Sequence, residues 1–380
     1  MTGRERILSV LRGEIPDRVP VCPFVQQEYL SYYFGRNDTD RIVDAVKLAK
    51  VLDFDVFTRD TYHIEPHYTR RSYPNWEVEK RQYVEGGIAH RVLTITTPGG
   101  VLTQREVAPY DPTTISGIHF STKEYLLSDL EKGFLIFKKY MPQPGCDYAE
   151  DMKNHAAWAQ AVVGDQGLNC PWGTGGVYNT ASTLRSVEDL MCDPYDDEEL
   201  YGEFMTFLTD ILVSDYEKMC DTDYAILGLQ GNIANAGMLS CDFFSRYVMP
   251  YEERVLKTVK ERGKFTLYHN CGLARRLYPA YEQMHMTLFE TLSPAPQGDN
   301  SMAEAKATLG KTKVLAGNLD QIRFLKTASL QQVENATREL VEMAKAGGRY
   351  IFAASDYLEK DTPLENVKAM LRAAKDAGQY

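Results

Sequence analysis

Apolar residues recur along this chain in two rhythms. The first is helical: Ile7, Leu8, Val10 and Leu11 share a face of an opening segment that Gly13 and Pro16 should end, so a helix precedes the first strand. The second is a series of short apolar runs near 19–25, 54–59, 160–165, 223–229, 264–269, 286–291, 313–318 and 349–354, separated by amphipathic stretches. Short apolar runs alternating with helical patterns are the mark of repeated βα units on a parallel sheet. Eight of them predict an α/β chain closed as a (β/α)8 TIM barrel, a single domain over 1–380.

One stretch breaks the rhythm. Residues 74–107 alternate polar and apolar around Gly86-Gly87 and Gly99-Gly100, glycine pairs that mark tight turns. They predict an antiparallel β-hairpin insertion after the second strand, either an excursion over one mouth of the barrel or a small separate domain. From 110 to 158 the pattern is partly helical, with Leu126 to Tyr140 its clearest helix before Pro142, Pro144 and Gly145 interrupt it.

Composition narrows the function classes. A formal net charge of -11 and a pI near 5.3 argue against nucleic acid, whose phosphates are gripped by clustered Lys and Arg. No run of about 18 apolar residues suggests a membrane span. The opening MTGRERILSVLRGEIPDR mixes charge with apolar residues instead of reading as a signal peptide, so a cytoplasmic protein is expected. Seven cysteines without repeated short spacings do not form a disulfide framework.

In such a barrel, chemistry gathers where strands end. The fifth run leads directly into His269-Asn270-Cys271-Gly272, placing an imidazole and a thiol two residues apart, a pair suited to zinc. A buried histidine beside a packing cysteine fits the same spacing equally well. Further ligands must come from neighbouring strand ends, where Glu290 closes the sixth run and Ser355-Asp356 the eighth; each carboxylate could instead cap a helix or hold a loop. Gly164 to Gly167, Gln230-Gly231-Asn232 and Gly317-Asn318-Leu319-Asp320 read as pocket lining, with Gln230, Asn232 and Asn318 as cofactor-binding amides. The run Trp172-Gly173-Thr174-Gly175-Gly176 lacks the Lys-Ser/Thr of a phosphate loop, and Pro66 breaks any helix that would pair His63 with His67 on a metal.

The H-x-C-G at 269–272 and the opening T-G-R-E-R-I-L-S-V-L-R-G-E-I-P-D-R-V-P resemble the cobalamin-linked methyltransferase branch of the uroporphyrinogen decarboxylase superfamily. The resemblance extends to Glu290–Pro296 with Gly298-Asp299, to G-N-L-D at 317–320 and to D-T-P-L-E-N-V-K-A-M at 361–370. It implies a barrel enzyme in which Zn2+ activates a methyl acceptor or polarises a methyl donor, with the corrinoid carried by a separate protein, and it leaves a homodimer open. The decarboxylase reading expects an arginine-bearing segment after the first strand, where this chain has Pro20-Val21-Cys22-Pro23-Phe24-Val25-Gln26-Gln27-Glu28. Asp60 does sit where the decarboxylase-like acid is expected, and with Glu290 it is the catalytic candidate. Relatives with H-x-C add a cysteine shortly before T-P-x-x-N; here that position is Asp356, giving His269, Cys271 and Asp356 as the expected metal set. A carboxylate in place of a thiolate turns the expectation from coenzyme M as acceptor to demethylation of a small methylated donor, with methoxylated aromatics first. A tetrapyrrole decarboxylase and a non-catalytic ligand-binding barrel are the alternatives.

Overall fold

The computed structural model describes residues 1–59, 66–110, 120–142, 149–172 and 175–380, with the backbone alone at 67. The chain divides into two compact units, one of Met1–Tyr62, Ala149–Gly176 and Tyr216–Tyr380, the other of His63–Tyr148 and Val177–Asp215.

The first unit is α/β. Its strands are β1 (Val56–Thr58) and, past the second unit's β2 (Glu77–Glu85), β3 (Ile88–Thr97), β4 (Gly100–Pro109) and β5 (Ser121–Glu124), the strands β6 (Gly167–Asn169), β7 (Ile226–Gln230), β8 (Phe265–Asn270), β9 (Leu288–Thr291), β10 (Val314–Leu319) and β11 (Tyr350–Ala354). Strands β7 to β11 pair in parallel in the order of the chain, and β1 pairs in parallel with β6. Further backbone bonds link these sheets: Gly228 N–H donates to Pro171 O at 2.9 Å, Asp55 N–H to Val21 O at 2.9 Å, and Cys22 N–H to Phe352 O at 2.8 Å.

Two strand expectations need correction. Residues 19–25 form no regular strand, only a parallel bridge between Val21 and Phe352, because Pro20 and Pro23 have no N–H to give a ladder. Residues 160–163 end the helix Ala149–Val163 rather than forming a strand. Their Ala-rich sequence continues a helical face, and the third strand comes later, at Gly167–Asn169.

Inside the first unit, period-two alternation sorts the strand residues. Leu267, Leu288, Val314, Ala316, Ile351, Ile226, Phe57 and Leu168 form one buried cluster with Ile7, Val10 and Leu11 of the helix Gly3–Arg12. Each fully buried aliphatic side chain contributes about 1.5–3 kcal/mol of transfer free energy. Two positions along from Leu267 is His269; from Leu288, Glu290; from Phe57, Arg59; from Ala316, Asn318. The face that packs at one end of the strands therefore presents polar groups at the other.

In the second unit β2 to β5 pair antiparallel in order, turning between Glu85 and Ile88 through Gly86-Gly87 and between Thr97 and Gly100. Gly86 and Gly87 take φ of 56° and 77°, the left-handed region a two-residue turn demands. Within this unit Phe137, from the helix Leu130–Tyr140, packs its ring against Tyr68 and Trp76.

Candidate metal centre

Strand register assembles the site. Gln230 stands beside His269 across β7 and β8, and His269 beside Glu290 across β8 and β9. That adjacency puts His269 Nδ1 at 3.1 Å from Glu290 Oε1. Cys271 follows one residue after β8, pointing along the same alternation, and Asp356 lies two residues past β11. His269, Cys271 and Asp356 each offer a ligand atom, all within 4.8 Å of one another. His269 is 3% exposed, while Cys271 and Asp356 are half-buried, so the cluster opens to one side.

The loops that carry these groups are held by their own polar side chains. Gly272 N–H donates to Asn270 Oδ1 at 3.0 Å, and Asn270 Nδ2 donates to the Tyr281 hydroxyl at 2.7 Å. Asp299 accepts from the N–H groups of Ala274 and Arg275. Ser355 hydroxyl donates to Gln321 Oε1 at 2.6 Å, fixing the turn that presents Asp356.

Arg59, unmarked by any sequence motif, proves central. It is buried, donates from Nε to Glu290 Oε1 at 3.1 Å and from Nη2 to Glu290 Oε2, and lies over the Phe57 ring at 3.7 Å. Its signal in the sequence was its place two residues after the inward Phe57. Aromatic rings wall the histidine: Trp172 at 4.9 Å between centroids and Phe24 at 6.4 Å, with Tyr357 a further 6.4 Å from Phe24. Gly228 makes room for that indole, since a Cβ there would lie 2.5 Å from Trp172 Cδ1.

The charges are mutually dependent. Burial would lower the His269 pKa, but hydrogen bonds to Cys271 and Glu290 and the charges of Asp356 and Glu290 outweigh it, raising the value to about 10. Burial raises the Asp356 carboxyl, opposed by the His269 charge and the Tyr357 N–H. Burial also works against the Glu290 anion, yet Arg59 and His269 hold its pKa down at about 2. An excess of donors and negative charge around one imidazole is the environment a divalent cation would replace a proton in.

The other expected site residues fall as follows. Glu290 binds His269 and Arg59 and is not among the three clustered donors. Gln230 and Asn232 are half-buried at the end of β7, and Asn232 Oδ1 is buried with no hydrogen-bond partner among the described residues. Asn318 donates through Nδ2 to Leu292 O at 2.9 Å, which ties the loop after β9. Asp60, with His63 and Glu65, lies outside the described residues, as do Gly173 and Thr174. Two surface cavities of about 630 and 540 Å³ belong to the second unit, and none of the cluster residues lines them. Among the described residues no helix is long and apolar enough to cross a membrane.

Known proteins resemble this chain in sequence over about half of it and in fold over nearly all of it. A methylated-thiol–coenzyme M methyltransferase of Methanosarcina mazei is 25% identical over 199 residues, 52% of this chain and 51% of that protein. A methylcobamide:CoM methyltransferase, MtaA, of Methanosarcina barkeri is 24% identical over 205 residues, 54% and 57% of the two chains. The chain thus spans about half the length of the curated relatives it matches. Among solved structures, a methyltransferase from Methanosarcina mazei superposes with a TM-score of 0.65 over 99% of both chains at 17% identity. A B12-independent methionine synthase from a Shewanella species does so at 0.50, over 95% and 97%, at 10% identity. These likenesses establish an α/β fold of the TIM-barrel type. The sequence model of uroporphyrinogen decarboxylase (URO-D) matches residues 168–377, and the chain belongs to that family.

Proposed function

We propose that the protein is a zinc-dependent methyltransferase that moves a methyl group between a small methylated donor and the cobalt of a corrinoid carried by a separate protein. The observation that carries this reading is the convergence of one imidazole nitrogen, one thiol sulfur and one carboxylate oxygen within 4.8 Å at the ends of parallel strands. Three mixed donors on a half-open cluster suit a catalytic zinc, which keeps a coordination position for substrate. His269, Cys271 and Asp356 would hold the ion. When bound, it supplies Lewis acidity to the oxygen or nitrogen that carries the methyl group.

The chain's own residues do the rest. Phe24, Trp172 and Tyr357 offer an apolar wall beside the cluster, suited to a methoxylated aromatic. Gln230 and Asn232, with an unpartnered amide oxygen, orient the bound molecule, as does the backbone that Asn318 ties down. Asp60 completes the catalytic set with Glu290, whose part is to hold the imidazole. The guanidinium of Arg59, behind His269, is committed to Glu290, which favours a neutral donor over a tetrapyrrole bearing many carboxylates. We further propose that the strands close as a barrel, supported by the backbone bonds through Val21, Cys22 and Pro171.

The test is incubation of zinc-loaded protein with methoxylated aromatics and reduced cobalamin. The reading expects methylation of the cobalamin, seen in its visible spectrum, with release of the phenol. Inactivity across methoxylated aromatics, together with carbon dioxide release from a porphyrinogen, would replace it with the decarboxylase.

A further inference from the structure

Resting on the metal reading above, we infer that Arg59 is a positioning residue for the metal, acting through Glu290 on the ring of His269. A carboxylate can only accept a hydrogen bond, so the 3.1 Å contact from Glu290 Oε1 to His269 requires the proton on Nδ1. That leaves Nε2 as the nitrogen whose proton a metal ion would displace. The choice of tautomer therefore depends on Glu290 staying in place beside the ring as an acceptor.

Arg59 secures that place. Its Nε and Nη2 take one carboxylate oxygen each, the paired geometry that fixes a carboxylate in plane. Its Nη1 is bonded to Phe57 O at 2.8 Å and reaches Thr58 O at 3.4 Å, so the guanidinium is anchored to β1. The Phe57 and Phe24 rings, at 3.7 and 5.1 Å, hold its plane from the sides. With Oε1 shared between Arg59 and His269 and Oε2 bonded to Arg59, Glu290 is committed to the histidine and not to the ion. The chain of contacts runs from β1 through β9 to β8, and a lysine could not reproduce it, having one point charge in place of a fork.

Outer partners of this kind set metal affinity by about 10–100-fold. Removing Arg59 alone leaves a buried anion uncompensated and endangers folding, so the deciding variant is the neutral pair Arg59→Met/Glu290→Gln. Co2+ is the probe, with affinity read by competition against a chelator and coordination read from the thiolate-to-cobalt and d–d absorption bands. The inference expects the paired variant to melt as a folded protein and keep the thiolate band of Cys271. It should bind Co2+ about 10–100-fold more weakly with altered d–d bands, and Arg59→Lys should fall between it and wild type. Equal affinity and identical d–d bands in wild type and the paired variant would overturn it while leaving the metal reading intact. Loss of Co2+ in Glu290→Gln as complete as in His269→Ala would also overturn it, making Glu290 a ligand. A wild type that takes up no Co2+ would overturn both readings together.

Discussion

The two ends of the parallel strands make an instructive pair. At one end Leu267, Leu288, Val314 and Ile351 meet the helix residues Ile7, Val10 and Leu11 in a dry cluster. At the other, on the same strands and the same face, stand His269, Glu290 and Asn318, with Arg59 following β1. Two residues of strand, about 6.6 Å, separate packing from chemistry. What a side chain does here is decided by its height along the strand far more than by which strand bears it. The polar end is buried too, so it is tolerable only because each charge has a partner at hand.

The comparison can be broken at either end. Truncating the apolar end should cost the most stability: Leu267→Ala, wholly buried, should lose about 2–5 kcal/mol in denaturant unfolding while its metal content matches wild type. A variant that keeps its stability but loses metal would show that the two ends are not separable. A smaller effect is expected at the polar end, and it should depend on pH. Glu290 is held at about 2 against an ordinary 4.5. Its folded value lies below its unfolded one, so its stabilising contribution is complete above about pH 4.5 and disappears as pH falls toward about 2. The gap in melting temperature between metal-free wild type and Glu290→Gln should therefore narrow in acid; a gap that widens would reverse the assigned sign.

Sequence reading reached the strands of the five-stranded parallel sheet. The runs at 264–269, 286–291, 313–318 and 349–354 coincide closely with β8 to β11, because strands buried on both faces are near-continuous apolar segments. It failed at 19–25, where two prolines remove the ladder donors, and at 160–165, where an apolar helix end resembles a buried strand. In the site, His269, Cys271 and Asp356 were legible as residues following those runs, and the structure brings their donor atoms together. Arg59 was not legible. A cation at the very end of a short apolar run reads as surface, and only its alternation with Phe57 and the distant partner at Glu290 reveal that it is buried. A contact between residues 231 positions apart leaves no local trace.

The central claim is that His269, Cys271 and Asp356 form a metal site. Elemental analysis of purified protein after mild dialysis tests it most directly, with wild type beside His269→Ala, Cys271→Ala and Asp356→Ala. The account predicts zinc near stoichiometry in wild type, only traces in the His269 and Cys271 variants, and clear loss in the Asp356 variant. A wild type that neither carries zinc nor takes it up, or alanine variants that hold as much as wild type, would contradict it.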